Sequence, residues 1–316
     1  MKSQNGKLSK WFISNTLRKR RFFLTTFAPK MADINEIAVT YRQHLARLPK
    51  HNTRTDYSKR LAMLERWCSM HGITRVEEID FLQFLDWVFY ERCVSPRTRN
   101  NYRTWCRSFC SWLRLTPNPM DDIKPMKEPG KIRQPLPAAM LRRIKGHLVT
   151  KDKHFLLAVM LEYYTFIRPG ELSELKVGDI DVKRHAIHVR ASISKNGKAE
   201  MVGLNTAIVS LMRELGTLRA PKDWYIFSNR LRPGADKLDS RAFRDRWARL
   251  RRRLAIPREY QFYSLKDSGI RDLANSAGIV IARDQARHSS IAVTNKYLQG
   301  RDRPVHSETI RFKGAL

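Results

Sequence analysis

Downstream of residue 33 the apolar positions recur with helical spacing. Ile34, Ile37, Ala38, Tyr41, Leu45 and Leu48 form one stripe, opened by Asp33 and Glu36 in the arrangement of a capping box. A second helix is predicted from about Thr53, with Tyr57, Leu61, Leu64 and Trp67 on one face. A third, DFLQFLDWVFY over residues 80–90, is apolar enough to be the buried centre of a small bundle. The fourth opens on Ser95, whose hydroxyl can accept from the first free amides, and on Pro96, whose fixed φ suits the first helical position. It turns Tyr102, Trp105, Cys106, Phe109 and Leu113 inward and offers Arg97, Arg99, Arg103 and Arg107 on its outer side. That outer side reads equally as a solvated basic face and as a surface that tracks phosphates.

Residues 117–136 hold five prolines and several lysines, a composition that breaks helices and stiffens extended chain. They are expected to link a helical domain over 33–116 to a larger one over 137–300, leaving a tail at 301–316. The larger domain is predicted to start with helices around 138–148 and 155–166. Alternation then takes over in residues 180–204, broken at Asn196-Gly197, a strong hairpin signal. Helical patterns return over 241–254 and again from Ser264. In the first of these, Phe243, Trp247 and Leu250 face inward while Arg244 and Arg251 belong to a basic face suited to DNA contact.

Charge narrows the choice of partner. With 61 Lys and Arg against 30 Asp and Glu, the chain carries a formal +31, a self-repulsion that a polyanion would relieve. Nucleic acid fits best, because basic side chains release condensed counterions when they meet phosphates; ribosomal or membrane-surface proteins share the composition less well. Residues 1–32 form a basic arm, with eight Lys or Arg and no acid in the first thirty positions. An organellar leader, or a start extended upstream of a true initiator at Met31, are the other readings of this arm. No stretch is long enough to cross a bilayer, so no membrane partner is expected. Cys68, Cys93, Cys106 and Cys110 form no CxxC pair and have no His at ligand spacing, which argues against zinc and for a reducing, cytoplasmic setting.

Four local sequences carry candidate chemistry. In YYTFIRPGELSELKVGDID (residues 163–181), Arg168 sits at a helix start, where a planar guanidinium can grip two phosphate oxygens; alternatively it pairs with Glu171 or Glu174. SISKNGKAEMVGL (192–204) presents Lys195 before a turn and Lys198 after it. FYSLKDSGIRDLA (262–274) contains Tyr263 and Lys266. DQARHSSIAVTNKYLQG (284–300) sets His288 nine positions before Tyr297. No Walker-type loop and no paired carboxylates for two-metal chemistry occur.

Together, in this order, the four segments resemble the tyrosine recombinase, or phage integrase, family from about residue 33 to Tyr297. The resemblance implies a fold that is mainly α with a small antiparallel β-sheet: an N-terminal helical core-binding (SAM-like) bundle and a tyrosine-recombinase catalytic domain, closing on duplex DNA. It implies Tyr297 as nucleophile toward a 3′ phosphate, Lys195 (with Lys198 in reserve) as general acid, and Arg168, Tyr263, Lys266 and His288 around the phosphate. It also implies double-stranded DNA bearing specific recombination sites, a tetramer on DNA, DNA-bending accessory proteins as further partners, and no cofactor. The role expected is integration or excision of a mobile element. A DNA-relaxing topoisomerase of similar chemistry and a binding-only protein remain alternatives. The chain departs from the family pattern in two segments, the first carrying Tyr263, Lys266 and Asp267 where the family has His-x-x-Arg-His. Lys266 stands where an arginine is usual, losing the bidentate fork, and Arg287 replaces the glycine usual before His288. Arg287 is one candidate to make good the missing guanidinium, whereas Arg271, five residues along the helix from Lys266, points elsewhere.

Overall fold

Local capping opens most helices of the first unit in the computed structural model, which describes residues 33–129 and 135–298. Asp33 accepts from the Asn35 amide (2.7 Å) at the head of α1, Ile34–Ala46. Helix α2, His51–Met70, follows without a side-chain cap. Asp80 accepts from the amides of Leu82 and Gln83 at the start of α3, Phe81–Tyr90, and Ser95 does the same for Thr98 ahead of α4, Pro96–Trp112. Each such cap satisfies donors that the first turn leaves open.

The core of this unit is largely aromatic. Tyr41, Trp67, Phe84, Trp105 and Phe109 are buried, with Cys68, Cys106 and Cys110 filling between them as small apolar groups. Removing one such indole would cost about 3–5 kcal/mol. Residues 117–129, read from sequence as linker, lie against the bundle: Met120 is buried, and the side-chain amide of Asn100 both donates to the Met126 carbonyl (2.9 Å) and accepts from its amide (2.8 Å). The chain divides into two compact units between Gly130 and Lys131. The expected basic arm over 1–32 and the tail over 301–316 lie outside the described residues.

The second unit is built on α6, Lys153–Thr165, preceded by α5, Ala138–Lys151. Nearly every residue of α6 from Phe155 to Glu162 is buried, as a helix apolar on all sides must be. It is covered by α5, by α8 (Thr206–Glu214) and by α10 (Ser264–Ala277). The approach of α10 is close: a Cβ at Gly269 would lie 1.8 Å from the Tyr163 carbonyl oxygen, so only glycine fits. Beyond α6 come the short α7 (Pro169–Leu172) and an antiparallel sheet in the order β1 (Ile180–Asp181), β2 (Ala186–Val189), β3 (Glu200–Gly203). Ile187 pairs with Val202, placing both in the core.

The hairpin is looser than the sequence predicts. Asn196-Gly197 does form a turn, with Gly197 at φ 71°, but β2 has already ended at Val189 and β3 begins only at Glu200. The intervening Arg190 side chain leaves the strand to bond Asp179 (2.9 Å) and the Glu174 carbonyl (2.6 Å), diverting the chain before pairing can continue. Helix α9, Arg241–Arg253, buries Phe243, Trp247 and Leu250 as expected, and α11 (Ile279–Gln285) and α12 (Ile291–Asn295) complete the described part. Among the described residues no helix is long and apolar enough to cross a membrane.

Candidate active site

Glu171 is the centre of the site. Helix α6 stops because Phe166 adopts a left-handed conformation (φ 56°), and two residues later Arg168 stands at the N-cap of α7, ahead of Pro169. The Arg168 amide and Nη1 donate to the two oxygens of Glu171, at 3.2 and 3.0 Å. The Lys195 amide donates to the same carboxylate (3.0 Å), and so does Nη2 of Arg287. Burial alone would raise the Glu171 pKa; the Lys195 amide, Arg287 and Arg168 outweigh it and hold the group below the ordinary carboxylate range. The pairing of Arg168 with Glu171 therefore exists, inside a cluster rather than as an isolated surface bridge.

Tyr263 and Lys266 open α10. Lys266, placed by sequence at the phosphate, is instead completely buried, and its Nζ donates to the Phe166 carbonyl (2.7 Å). It thus secures the left-handed turn from which Arg168 projects. The reason is packing: Gly269 lets α10 sit so close to α6 that the first turn of α10 lies against the end of α6. Burial pulls the Lys266 pKa down to about 7, the positive charge of Arg168 adds to this, and Glu162 opposes it. Glu162 is wholly buried on α6, and neither of its carboxyl oxygens accepts a hydrogen bond. Burial raises its pKa well above the ordinary range against the pull of Lys266, which is the environment of a neutral acid.

Tyr297 lies just after α12 and is nearly buried, at 7% exposure, in a small cluster with Phe166, Ile270 and Ala286. Its ring stacks on His288 at 5.3 Å between centroids. His288 Nδ1 lies 3.0 Å from the Thr294 hydroxyl, which fixes the imidazole from the first turn of α12. Tyr297 is also hydrogen-bonded to Tyr263; burial first, then this neighbour, keep the Tyr263 phenol protonated well above its usual range. The contacts close a circuit: Tyr297 to Tyr263, Tyr263 beside Arg168, Arg168 to Glu171, Glu171 to Arg287, and Arg287 next in sequence to His288. Lys195 is exposed on the loop between β2 and β3, joined to the circuit through its backbone, while Lys198 lines a cleft of about 540 Å³ with His288 and Arg287.

The arginines read as DNA contacts divide. Arg97 and Arg107 are exposed, each paired with an acid, Glu128 and Asp121. The exposure expected of Arg99 is overturned: it is 5% exposed and bonds Asp86 of α3 (2.9 Å), because α3 packs against that side of α4. Arg103 is half-buried and donates to the Ile123 carbonyl. On α9, Arg244 is exposed and Arg251 donates to the Arg258 carbonyl (2.9 Å). Sequence reasoning missed Glu162 and reduced Glu171 to a surface partner. The signal for Glu162 was available, as an acid embedded in an otherwise apolar helix. Among the described residues, no group of three or more His, Cys, Asp or Glu could hold a metal ion.

Comparison with known proteins gives this arrangement a context. No curated protein matches the chain significantly. Among solved structures, a lambda integrase dimer bound to a COC′ core site matches with TM-score 0.70 at 18% identity, covering 88% of this chain and 81% of that one. A lambda integrase tetramer bound to a Holliday junction gives 0.71 at 18%, covering 89% and 82%. The Tn1549 transposon integrase in complex with a circular intermediate DNA gives 0.69 at 14%, covering 88% and 97%. At these identities the likeness is one of fold. The mainly helical architecture with its small antiparallel sheet is therefore that of tyrosine recombinase integrases. Residues 136–303, more than half the chain and all four motif segments, match the phage integrase family, and this protein belongs to that family.

Proposed function

We propose that this chain is a site-specific recombinase that cuts and rejoins duplex DNA through a 3′-phosphotyrosine at Tyr297, serving integration or excision of a mobile element. The observation that carries the reading is the circuit that ties Tyr297 to Tyr263, Arg168, Glu171 and the backbone of the Lys195 loop. In the proposed step the Tyr297 oxygen attacks phosphorus and the bond to the 5′ oxygen breaks. The phenol proton passes to His288, whose imidazole has to tilt out of the stacked arrangement for a ring nitrogen to accept it. Lys195, on its exposed loop, delivers a proton to the departing 5′ oxygen. Arg168 holds the non-bridging oxygens as negative charge builds. A 5′ hydroxyl from a second strand reverses the sequence, and the phosphotyrosyl link conserves the energy of the broken bond.

The formal charge of +31 supports double-stranded DNA as partner. So do the matching integrases, which are bound to a core site, a Holliday junction and a circular intermediate DNA. We assign the chain the same habits: a tetramer assembled on two recombination sites, in the cytoplasm, with 33–116 as core-binding domain and 137–300 as catalytic domain. A DNA-binding protein that forms no covalent link is the second reading, favoured by the burial of Tyr297 and Lys266.

Covalent trapping separates the two. Incubated with nicked duplexes drawn from the DNA flanking the gene, the wild type should give an SDS-resistant adduct that Tyr297→Phe does not. Tight binding without any adduct would sink the recombinase reading in favour of the second.

A further inference from the structure

Arg287, like Arg99 in the first unit, keeps guanidinium donors that make no hydrogen bond, and Arg287 also lines a cleft beside His288. Arg287 has a side chain only 2% exposed, yet its Nε and Nη1 make no hydrogen bond. Its Nη2 is on Glu171, the carboxylate that Arg168 also uses, and its Nη1 lies 3.8 Å from Glu200, a loose ion pair. A buried arginine normally satisfies its planar fork, so the idle edge calls for an acceptor that arrives from outside. Two guanidinium charges on one carboxylate leave a surplus that the partly exposed Glu200 balances only from a distance.

Position says what the acceptor is. Arg287 lines the cleft whose other walls include Asn196 and Lys198 from the Lys195 loop, and His288 and Ser289 from the turn before α12. It adopts φ 56°, a conformation that costs a non-glycine residue about 1–2 kcal/mol, so this side chain is held against the preference of its own backbone. Lys266 cannot fill the role, since its ammonium is enclosed and bonded to Phe166. We infer that Arg287 is the second phosphate-binding guanidinium of this enzyme, meeting a non-bridging oxygen of the scissile phosphate and giving up Glu200 to do so, while Lys266 positions Arg168 from behind. This rests on the phosphoryl-transfer reading above.

The test replaces a non-bridging oxygen of the scissile phosphate by methyl, which removes the negative charge a cation must meet. On the ordinary diester, Arg287→Ala should slow adduct formation about a hundredfold, the usual scale for one preorganised donor. On the methylphosphonate it should stay within about threefold of wild type, because no charge is left for the lost group to meet. Arg287→Lys should recover part of the diester rate. An equal loss on both substrates, or no loss on either, would overturn the assignment. Orthophosphate binding, followed by broadening of its 31P resonance, decides the matter independently of chemistry. Arg287→Ala should weaken it at least about tenfold, the worth of one charge-assisted bond. Glu200→Gln, on the strand edge, should tighten it by about threefold, the scale of one partly exposed pair. Unchanged orthophosphate binding in both variants would overturn the inference as well. A wild type that forms no adduct at all removes the proposed function, and the orthophosphate titration still decides whether Arg287 binds phosphate.

Discussion

The two units handle their arginines in opposite ways. Along α4 the cations are spread out and matched singly: Arg97 with Glu128, Arg99 with Asp86, Arg107 with Asp121, and Arg103 with a carbonyl. In the second unit two guanidiniums and two backbone amides converge on the single carboxylate of Glu171. Pairwise matching leaves little local field, and exposed pairs of that kind contribute about 0–1 kcal/mol each. Convergence concentrates positive charge at one spot and fixes its geometry before any ligand arrives, which is what an anionic transition state requires. The lesson is that +31 is a poor guide to where a phosphate goes; what distinguishes the site is how few acids its cations must share.

The largest effect should come from removing the shared acid. Glu171→Ala leaves the buried Arg287 with only the distant Glu200 and takes the acid from the half-buried Arg168, and denaturant titration should show a loss of about 3–5 kcal/mol. Adduct formation should fall with it, because Arg168 and the Lys195 loop lose their common anchor. A variant as stable and active as wild type would mean that convergence on Glu171 is incidental.

Next in size is Arg99, the internal member of the distributed set. Arg99→Ala should destabilise the first unit by about 2–3 kcal/mol, since it strands Asp86 and opens a space beneath α4. Arg97→Ala, at an exposed pair, should leave stability within about 0.5 kcal/mol and lower the slope of log affinity against log salt by about one if that arginine meets a phosphate. Equal effects of the two on stability would erase the distinction between inner and outer cations of α4.

A further change is read against pH. Lys266 has a folded pKa lowered to about 7, under burial and Arg168, from an unperturbed 10.5. The unfolded chain therefore holds more protons between those values, and the contribution of Lys266 to stability grows as pH rises through that window and is lost as pH falls toward 7. Lys266→Met escapes this dependence, while Glu162, Arg168, Arg287 and Glu171 around it remain. The stability difference between this variant and wild type should move in favour of wild type between pH 6.5 and pH 9.5, values spanning about the titration window, when both proteins are unfolded in urea. A constant gap would show that Lys266 keeps its charge throughout.

What the sequence made legible was local. Asp80, Ser95 and Pro96 mark helix starts through bonds spanning two or three residues, and Phe243, Trp247 and Leu250 announce a buried face by spacing alone. Arg99 was misjudged because its partner Asp86 sits on another helix, and helical spacing does not say which neighbour will cover a flank. The burial of Lys266 was hidden for the same reason at longer range: its partner is the carbonyl of Phe166, a hundred positions away. The order of the four motifs gave the family, but the convergence on Glu171 joins three separate segments and exists only once the chain has folded. Arg287 was visible as a departure from pattern, whereas its idle donors were not.

The contact at Gly269 has a mechanical consequence. With a backbone carbonyl where a methyl would stand, α6 and α10 meet backbone to backbone, and any side chain at position 269 would force them apart. Arg168, three residues beyond the end of one helix, and Tyr263, at the start of the other, are thereby the jaws of a vice whose gauge is set by that backbone contact. Whatever adjustment DNA demands has to be made by the parts hung on those jaws: the ten-residue span 190–199 between β2 and β3, which carries Lys195, and the short helices that carry His288 and Tyr297. Control over when this protein acts is thus lodged in its lightest, last-added pieces, and selection can retune timing there while the frame stays as it is.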